Sequence, residues 1–294
     1  MDPGSGTTAR WLVRFGYDGA KFAGWARQPG LRTVEGEIRR GAVRCGVVAS
    51  PESLRLEVAS RTDRGVHARA NVLALSSDLS GPALLRALNG VAGDLFFDRA
   101  RPIPESFQVR RAVRRWYRYY EPREGRNMAR WRRTARRFRG PIDARNFGRG
   151  LPIGSEAMRP IERITVRSEG PWILVEVRAP SFAWGMVRKI VGAMRALDEG
   201  RLSETALDDA LRGARRLSLP MAEPDRLVLW RLDHGVRWTV RAPRGPSRGG
   251  RRFRALRIAA AARSAILEAI EPGRPRSSGR GTGKTEPRGR YRGP

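Results

Sequence analysis

The run from Ile161 to Leu197 constrains the fold most. Ile161–Val166 and Trp172–Val177 are rich in β-branched and apolar residues, and Glu169-Gly170-Pro171 between them is turn chemistry, so the two segments read as an antiparallel hairpin. The Phe182–Leu197 segment follows with Phe182, Met186, Ile190, Met194 and Leu197 in an apolar stripe, which is helical spacing. Trp184 and Arg188 stand one turn apart on another face of that predicted helix. Strands paired in a hairpin and covered by a helix place the chain among α/β (α+β) proteins.

The same grammar runs through the first half. Trp11–Tyr17 alternates as a strand does, and Asp18-Gly19 ends it with a turn pair. Thr33 then caps a predicted helix whose apolar positions are Val34, Ile38, Ala42 and Cys45. Leu54–Ala59 and Asn71–Leu75 read as strands, so the turn carrying Asp63 lies at the end of a sheet edge or hairpin. Pro82–Leu88 reads as a short helix, Leu95–Arg101 as a strand, Val109–Tyr120 as a long strand and Asn127–Phe138 as an arginine-laden helix. A strand at Leu227–Leu232 closes the regular part. Past about Val240 the chain turns rich in Gly, Pro and Arg. Ala255–Ile270 there could form one alanine-rich helix, and the rest cannot bury a core.

Charge narrows the partners. Lys+Arg number 59 against 29 Asp+Glu, a formal net charge of +30, and lysine stands only at Lys21, Lys189 and Lys284. A basic field concentrates nucleic acid, and arginine forks onto phosphate and stacks on bases, so the balance suits RNA. Codon usage in a GC-rich genome would give the same bias. A single cysteine, Cys45, excludes an intrachain disulfide, and with only His67 and His234 no metal site is expected. No apolar run approaches a membrane span, and a cytoplasmic protein free of cofactors is the expectation.

The stretch Arg61-Thr62-Asp63-Arg64-Gly65-Val66-His67-Ala68 sets one carboxylate among arginines. A carboxylate beside cations stays ionised and can act as nucleophile or base. Taken locally, Thr-Asp-x-Gly equally suits a structural turn, with Asp bonding its own backbone and Gly where positive φ is needed. The histidine, His67, fits a turn-stabilising role.

Three further patches accompany it: Gly16-Tyr17-Asp18-Gly19 with Phe22, Gly24-Trp25 and Gln28-Pro29; Arg115-Trp116-Tyr117-Arg118-Tyr119; and Met186-Val187-Arg188-Lys189-Ile190-Val191-Gly192. In this order the four resemble the tRNA pseudouridine synthase A family, from about Trp11 to about His234. The resemblance implies two related halves, each an antiparallel sheet backed by helices, with an RNA-binding cleft between them. It implies that Asp63 is the catalytic aspartate, that Arg61 helps hold the flipped-out nucleotide, that Tyr117 stacks on the target base and that Arg188 pairs with the carboxylate. It also implies a homodimer acting on tRNA, on uridines at the 3′ side of the anticodon arm, without metal or cofactor. The chemistry agrees: moving the uracil ring from N1 to C5 requires a base taken out of its stack and held while detached. Whether the carboxylate adds to C6 or attacks or deprotonates the ribose is open.

Expected segments are a lead at 1–8, an N-terminal catalytic half at 9–105, a C-terminal half at 106–240 and a basic, mostly flexible tail at 241–294. The chain departs from the family pattern at Arg64, where Ala is usual, at Lys189, where Asn is common, and at Phe107-Gln108-Val109-Arg110, where Phe-His-Ala-Arg is usual. A further departure is Pro141-Ile142-Asp143-Ala144, where His-Asp-Phe usually follows Phe-Arg-Gly. Leu219-Pro220-Met221-Ala222-Glu223-Pro224 is closer to archaeal members. Two other readings remain: a non-catalytic RNA-binding or chaperone protein on this scaffold, and a pseudouridine synthase acting on another RNA.

Overall fold

Alternating apolar residues at Trp11, Val13 and Phe15 make Ala9–Tyr17 (β1) a strand, and in the computed structural model it lies inside a nine-stranded sheet. The structure describes residues 8–91, 93–151, 157–242, 251 and 254–262. The expected lead lies outside them except Thr8, which donates to Asp78. The chain divides into one unit up to Arg252 and another from Phe253. Of the second unit, 254–262 is helical and exposed, and the remainder of the expected Ala255–Ile270 helix lies outside the described residues.

In the first unit, β1 leads through helix α1 (Val34–Arg44) to β2 (Glu57–Val58) and β3 (His67–Ser77), then through α2 (Gly81–Asn89) to β4 (Leu95–Pro102). The second half repeats the plan. There β5 (Arg114–Pro122) leads through α3 (Met128–Arg137) and the small pair β6 (Gly140–Asp143) and β7 (Met158–Ile161) to β8 (Arg163–Glu169) and β9 (Trp172–Ala179). Helices α4 (Met186–Asp198) and α5 (Glu204–Arg212) precede β10 (Leu227–Asp233), and β11 (Val240–Arg241) returns to β4.

The strand order is β11-β4-β1-β3-β10-β5-β9-β8, with β2 also on β3. It contains the four-strand pattern β4-β1-β3-β2 followed by its equivalent β10-β5-β9-β8. The halves are thus related, but they do not form two sheets. Among the described residues every strand pairing is antiparallel except β3 with β10, which joins the halves at His67↔Val228 and Ala68↔Leu229. This seam begins directly after the Asp63 turn.

Local signals explain the helices. The Thr33 hydroxyl accepts from Gly36 N–H and caps α1, whose Val34, Ile38 and Ala42 face the core. Asn127 does the same for α3, which buries Trp131, Thr134 and Ala135 and turns arginines outward. Helix α4 buries Met186, Val187, Ile190, Val191 and Met194. It starts four residues later than the spacing suggests, because Gly185 takes φ +72 and Trp184 bridges to Arg149. Phe182 and Trp184 are therefore off the helix. Likewise β5 starts at Arg114 rather than Val109, since Arg115 binds the carbonyls of Arg110 and Ala112 and holds that segment in turns.

Candidate active site

The Asp63 loop is a built object. Buried Asn71 donates through Nδ2 to Ser60 O at 2.8 Å, and the Tyr17 and Thr62 hydroxyls share a buried hydrogen bond of 2.7 Å. Trp25 N–H donates to Thr62 O at 3.0 Å. Glycines admit the close approach: a methyl group on Gly19 would lie 2.1 Å from Val66 O, and one on Gly16 would strike Phe96 and Ala68 O. The first glycine-rich patch is thus the bed of the second. Val66 N–H closes the turn on Asp63 O at 3.2 Å, with Gly65 at φ +80 in the position where a type II turn needs it.

His67 fastens the far end. Its Nε2 donates to Asp225 O at 3.0 Å, and Nδ1 sits 3.0 Å from Asp18 Oδ1. Burial disfavours the imidazolium, yet the hydrogen bond and charge of Asp18 outweigh it and raise the His67 pKa. The same hydrogen bond holds Asp18 below the usual carboxylate range. His67 thereby ties β3 to the Gly19 turn and to the segment before β10.

Arg188 reaches the loop from α4. Its Nη1 donates to Asp63 Oδ2 at 3.3 Å, with the two side chains 14% and 23% exposed, while Nε donates to Ala222 O at 2.7 Å. Ala222 N–H answers by donating to Arg188 O at 3.1 Å. This contact requires Gly192, where a methyl group would lie 2.0 Å from Pro220 O. Behind it, Arg195 binds Glu121 at 2.7 Å and Glu223 at 2.6 Å, and that hydrogen bond depresses the Glu223 pKa to about 2. Arg195 so locks the segment whose Ala222 carbonyl aims Arg188. Asp63 Oδ1 has no hydrogen-bond partner among the described residues.

Tyr117 comes in from β5, in register with Leu229 of β10, the strand that meets β3 at the seam. It is buried, shares a 3.1 Å hydrogen bond with Ser60 Oγ and packs edge-on against Phe182, centroids 5.2 Å apart. Burial, with the charge of Asp63 adding to it, raises its pKa and keeps it a phenol. Arg115 sits beside it with its guanidinium spent on carbonyls, including Ala59 O at 3.3 Å and Pro180 O.

These side chains enclose a cleft of about 410 Å³ lined by Arg61, Asp63, Tyr117, Phe182, Trp184 and Arg188. A second concavity of about 520 Å³ shares Arg61, Asp63, Trp184 and Arg188 and adds Gly24, Gln28 and Arg64. Asp63 is the sole carboxylate among the described residues lining either. All four residues singled out from sequence, Arg61, Asp63, Tyr117 and Arg188, meet at this cleft. Arg61 is exposed in both concavities and Arg64 in the second. Ser60, Phe182 and Trp184 were not anticipated here. Trp184 is 48% exposed, with the Arg149 guanidinium 4.9 Å from its ring centre, and a glycine directly before the helix was the signal that could have moved it off α4. Among the described residues no cluster of His, Cys, Asp and Glu could hold a metal, and no helix is long and apolar enough to cross a membrane.

A family model described as tRNA pseudouridine synthase matches residues 134–235, which include Arg188. The tRNA pseudouridine synthase A of Thermococcus kodakarensis is 36% identical over 224 residues, covering 76% of this chain and 84% of that one. The chain belongs to the tRNA pseudouridine synthase A family. The enzyme of that name from Pyrococcus furiosus is 36% identical over 228 residues, with 76% and 84% covered, and that from Methanosarcina barkeri 35% over 193 residues, with 65% and 71% covered. Members of this family isomerise uridine in tRNA, and this chain is an isomerase of that kind.

Proposed function

We propose that Asp63 carries out this isomerisation on a uridine extracted into the cleft. One observation carries the reading: among the described residues lining the cleft Asp63 is the one carboxylate, and Arg188 holds it through one oxygen while the other has no partner there. The reaction breaks the N1–C1′ bond, forms C5–C1′, and moves the C5 proton to the solvent or N1, so atoms balance without a co-reactant. An ionised carboxylate can serve by adding to C6, or by attacking or deprotonating the ribose. Tyr117 offers an aromatic face to the base, as enzymes that flip bases do. Arg61 and Arg188 supply cations for the displaced nucleotide and for the carboxylate. The target assigned here is the 3′ side of the anticodon arm.

This reading extends to a homodimer in the cytoplasm, on the strength of the family resemblance; sedimentation of the full chain with and without tRNA tests the dimer. Pseudouridine mapping on unmodified tRNA tests the activity. Wild-type protein should modify uridines on the 3′ side of the anticodon arm and Asp63→Ala none; modification by the variant would sink the assignment of Asp63. Modification confined to another arm or to another RNA would sink the target.

A further inference from the structure

Next to the cleft lies a concavity of about 400 Å³ lined by Arg145, Arg149, Lys189, Arg216 and Ser218. The two are neighbours through shared structure. Lys189 follows Arg188 on α4, and Arg149 stacks on Trp184, which lines the cleft. Arg145 is already engaged, its Nε 2.9 Å from both oxygens of Asp143. Lys189 donates to Asn146 O at 3.1 Å, a neutral partner. Arg149 and Arg216 form no ion pair among the described residues. The described lining of the pocket thus carries four cations and no carboxylate, and Asp143, which binds Arg145, also feels the charge of Arg216. Burial above all, with repulsion from Arg149 and Arg216 added, lowers the Lys189 pKa.

We propose that this pocket binds a backbone phosphodiester of the tRNA, one flanking the uridine held at Asp63. The inference rests on the proposed function and extends it from the base to the strand. Guanidinium forks match phosphate oxygens, and the Ser218 hydroxyl adds a neutral donor. Rotating a nucleotide out of its stack pivots it about its backbone, so fixing a neighbouring phosphate gives that rotation an anchor.

The test measures binding of the full chain to tRNA in which single phosphates flanking the modified uridine are replaced by uncharged methylphosphonate. One replacement should weaken wild-type binding about tenfold, the scale of a charged hydrogen bond. Arg216→Gln and Lys189→Asn should each weaken binding and reduce the log–log salt slope by roughly 0.7 to 0.9 for one lost phosphate contact. Arg216 is exposed, so its variant should fold. In Arg216→Gln the same methylphosphonate should cost little further, because both changes remove one interaction. Fully additive losses, or variants with wild-type affinity and salt slope, overturn the pocket while leaving Asp63 chemistry intact. Wild-type protein that neither binds nor modifies tRNA overturns the proposed function and this pocket with it.

Discussion

The two halves share a strand plan, yet their equivalent hairpins end differently. In the first half, β2 and β3 are joined by residues 59–66, a loop bound down by Asn71, Tyr17, Trp25 and His67 and carrying Asp63. In the second, β8 and β9 are joined at Gly170-Pro171, beside the exposed Ser168, Glu169 and Trp172. The difference follows from position in the sheet. Beyond β3 the sheet continues into β10 of the other half, so the first loop sits where α4, β5 and the Ala222 segment converge. Beyond β9 lies only β8, an edge, and the second turn has no further half to meet. A duplicated scaffold thus yields one site because only one copy of the hairpin faces a seam.

The largest effect short of losing the carboxylate should come from cutting what the second half brings to the seam. Arg188→Ala should lower the single-turnover rate on the order of 10²-fold, the scale for a misplaced reacting group, and Glu169→Ala at the other turn should leave it within about twofold. Equal losses from both would erase the contrast. Next come the glycines. Gly19→Ala must push the loop away from Val66 O and should cost roughly 1–3 kcal/mol by denaturant unfolding as well as activity. Gly170→Ala meets open space and should cost only the left-handed strain, roughly 1–2 kcal/mol, with activity retained.

The smallest effect is expected at Glu223, which is partly exposed. Arg195 lowers its folded-state pKa from 4.5 to about 2. A depressed carboxylate contributes stability above its unfolded value, so that contribution is present above about pH 4.5 and is lost as pH falls toward 2. Melting temperatures of wild type and Glu223→Gln should differ at neutral pH and converge across that window. A constant difference would remove Glu223 from the support of Arg188.

Local chemistry was readable where it acts locally. The Thr33 cap, the Gly170 turn and the apolar stripes of α1 and α4 stand in the sequence because each signal lies within a turn or two of its effect. Helix α5 was missed: only Leu207, Ala210 and Leu211 face inward, too weak a stripe, although Ser203 caps it and Gly213 ends it. Pro141 and Pro160 hid β6 and β7, each four residues long. At the site, Asp63, Tyr117 and Arg188 could be chosen from ordered motifs. Ser60 and Trp184 could not, since their place depends on the Tyr117 hydroxyl and on Arg149, far off in the chain. The union of two sheets into one rests on β3 pairing β10, a parallel contact between distant segments that leaves no periodicity to read.

The central claim is that the seam carboxylate does the chemistry. Asp63→Asn keeps the shape and removes the charge, so single-turnover pseudouridine formation at saturating tRNA tests it most directly. The account predicts a variant that still binds tRNA and forms no pseudouridine. Turnover at the wild-type rate would contradict it.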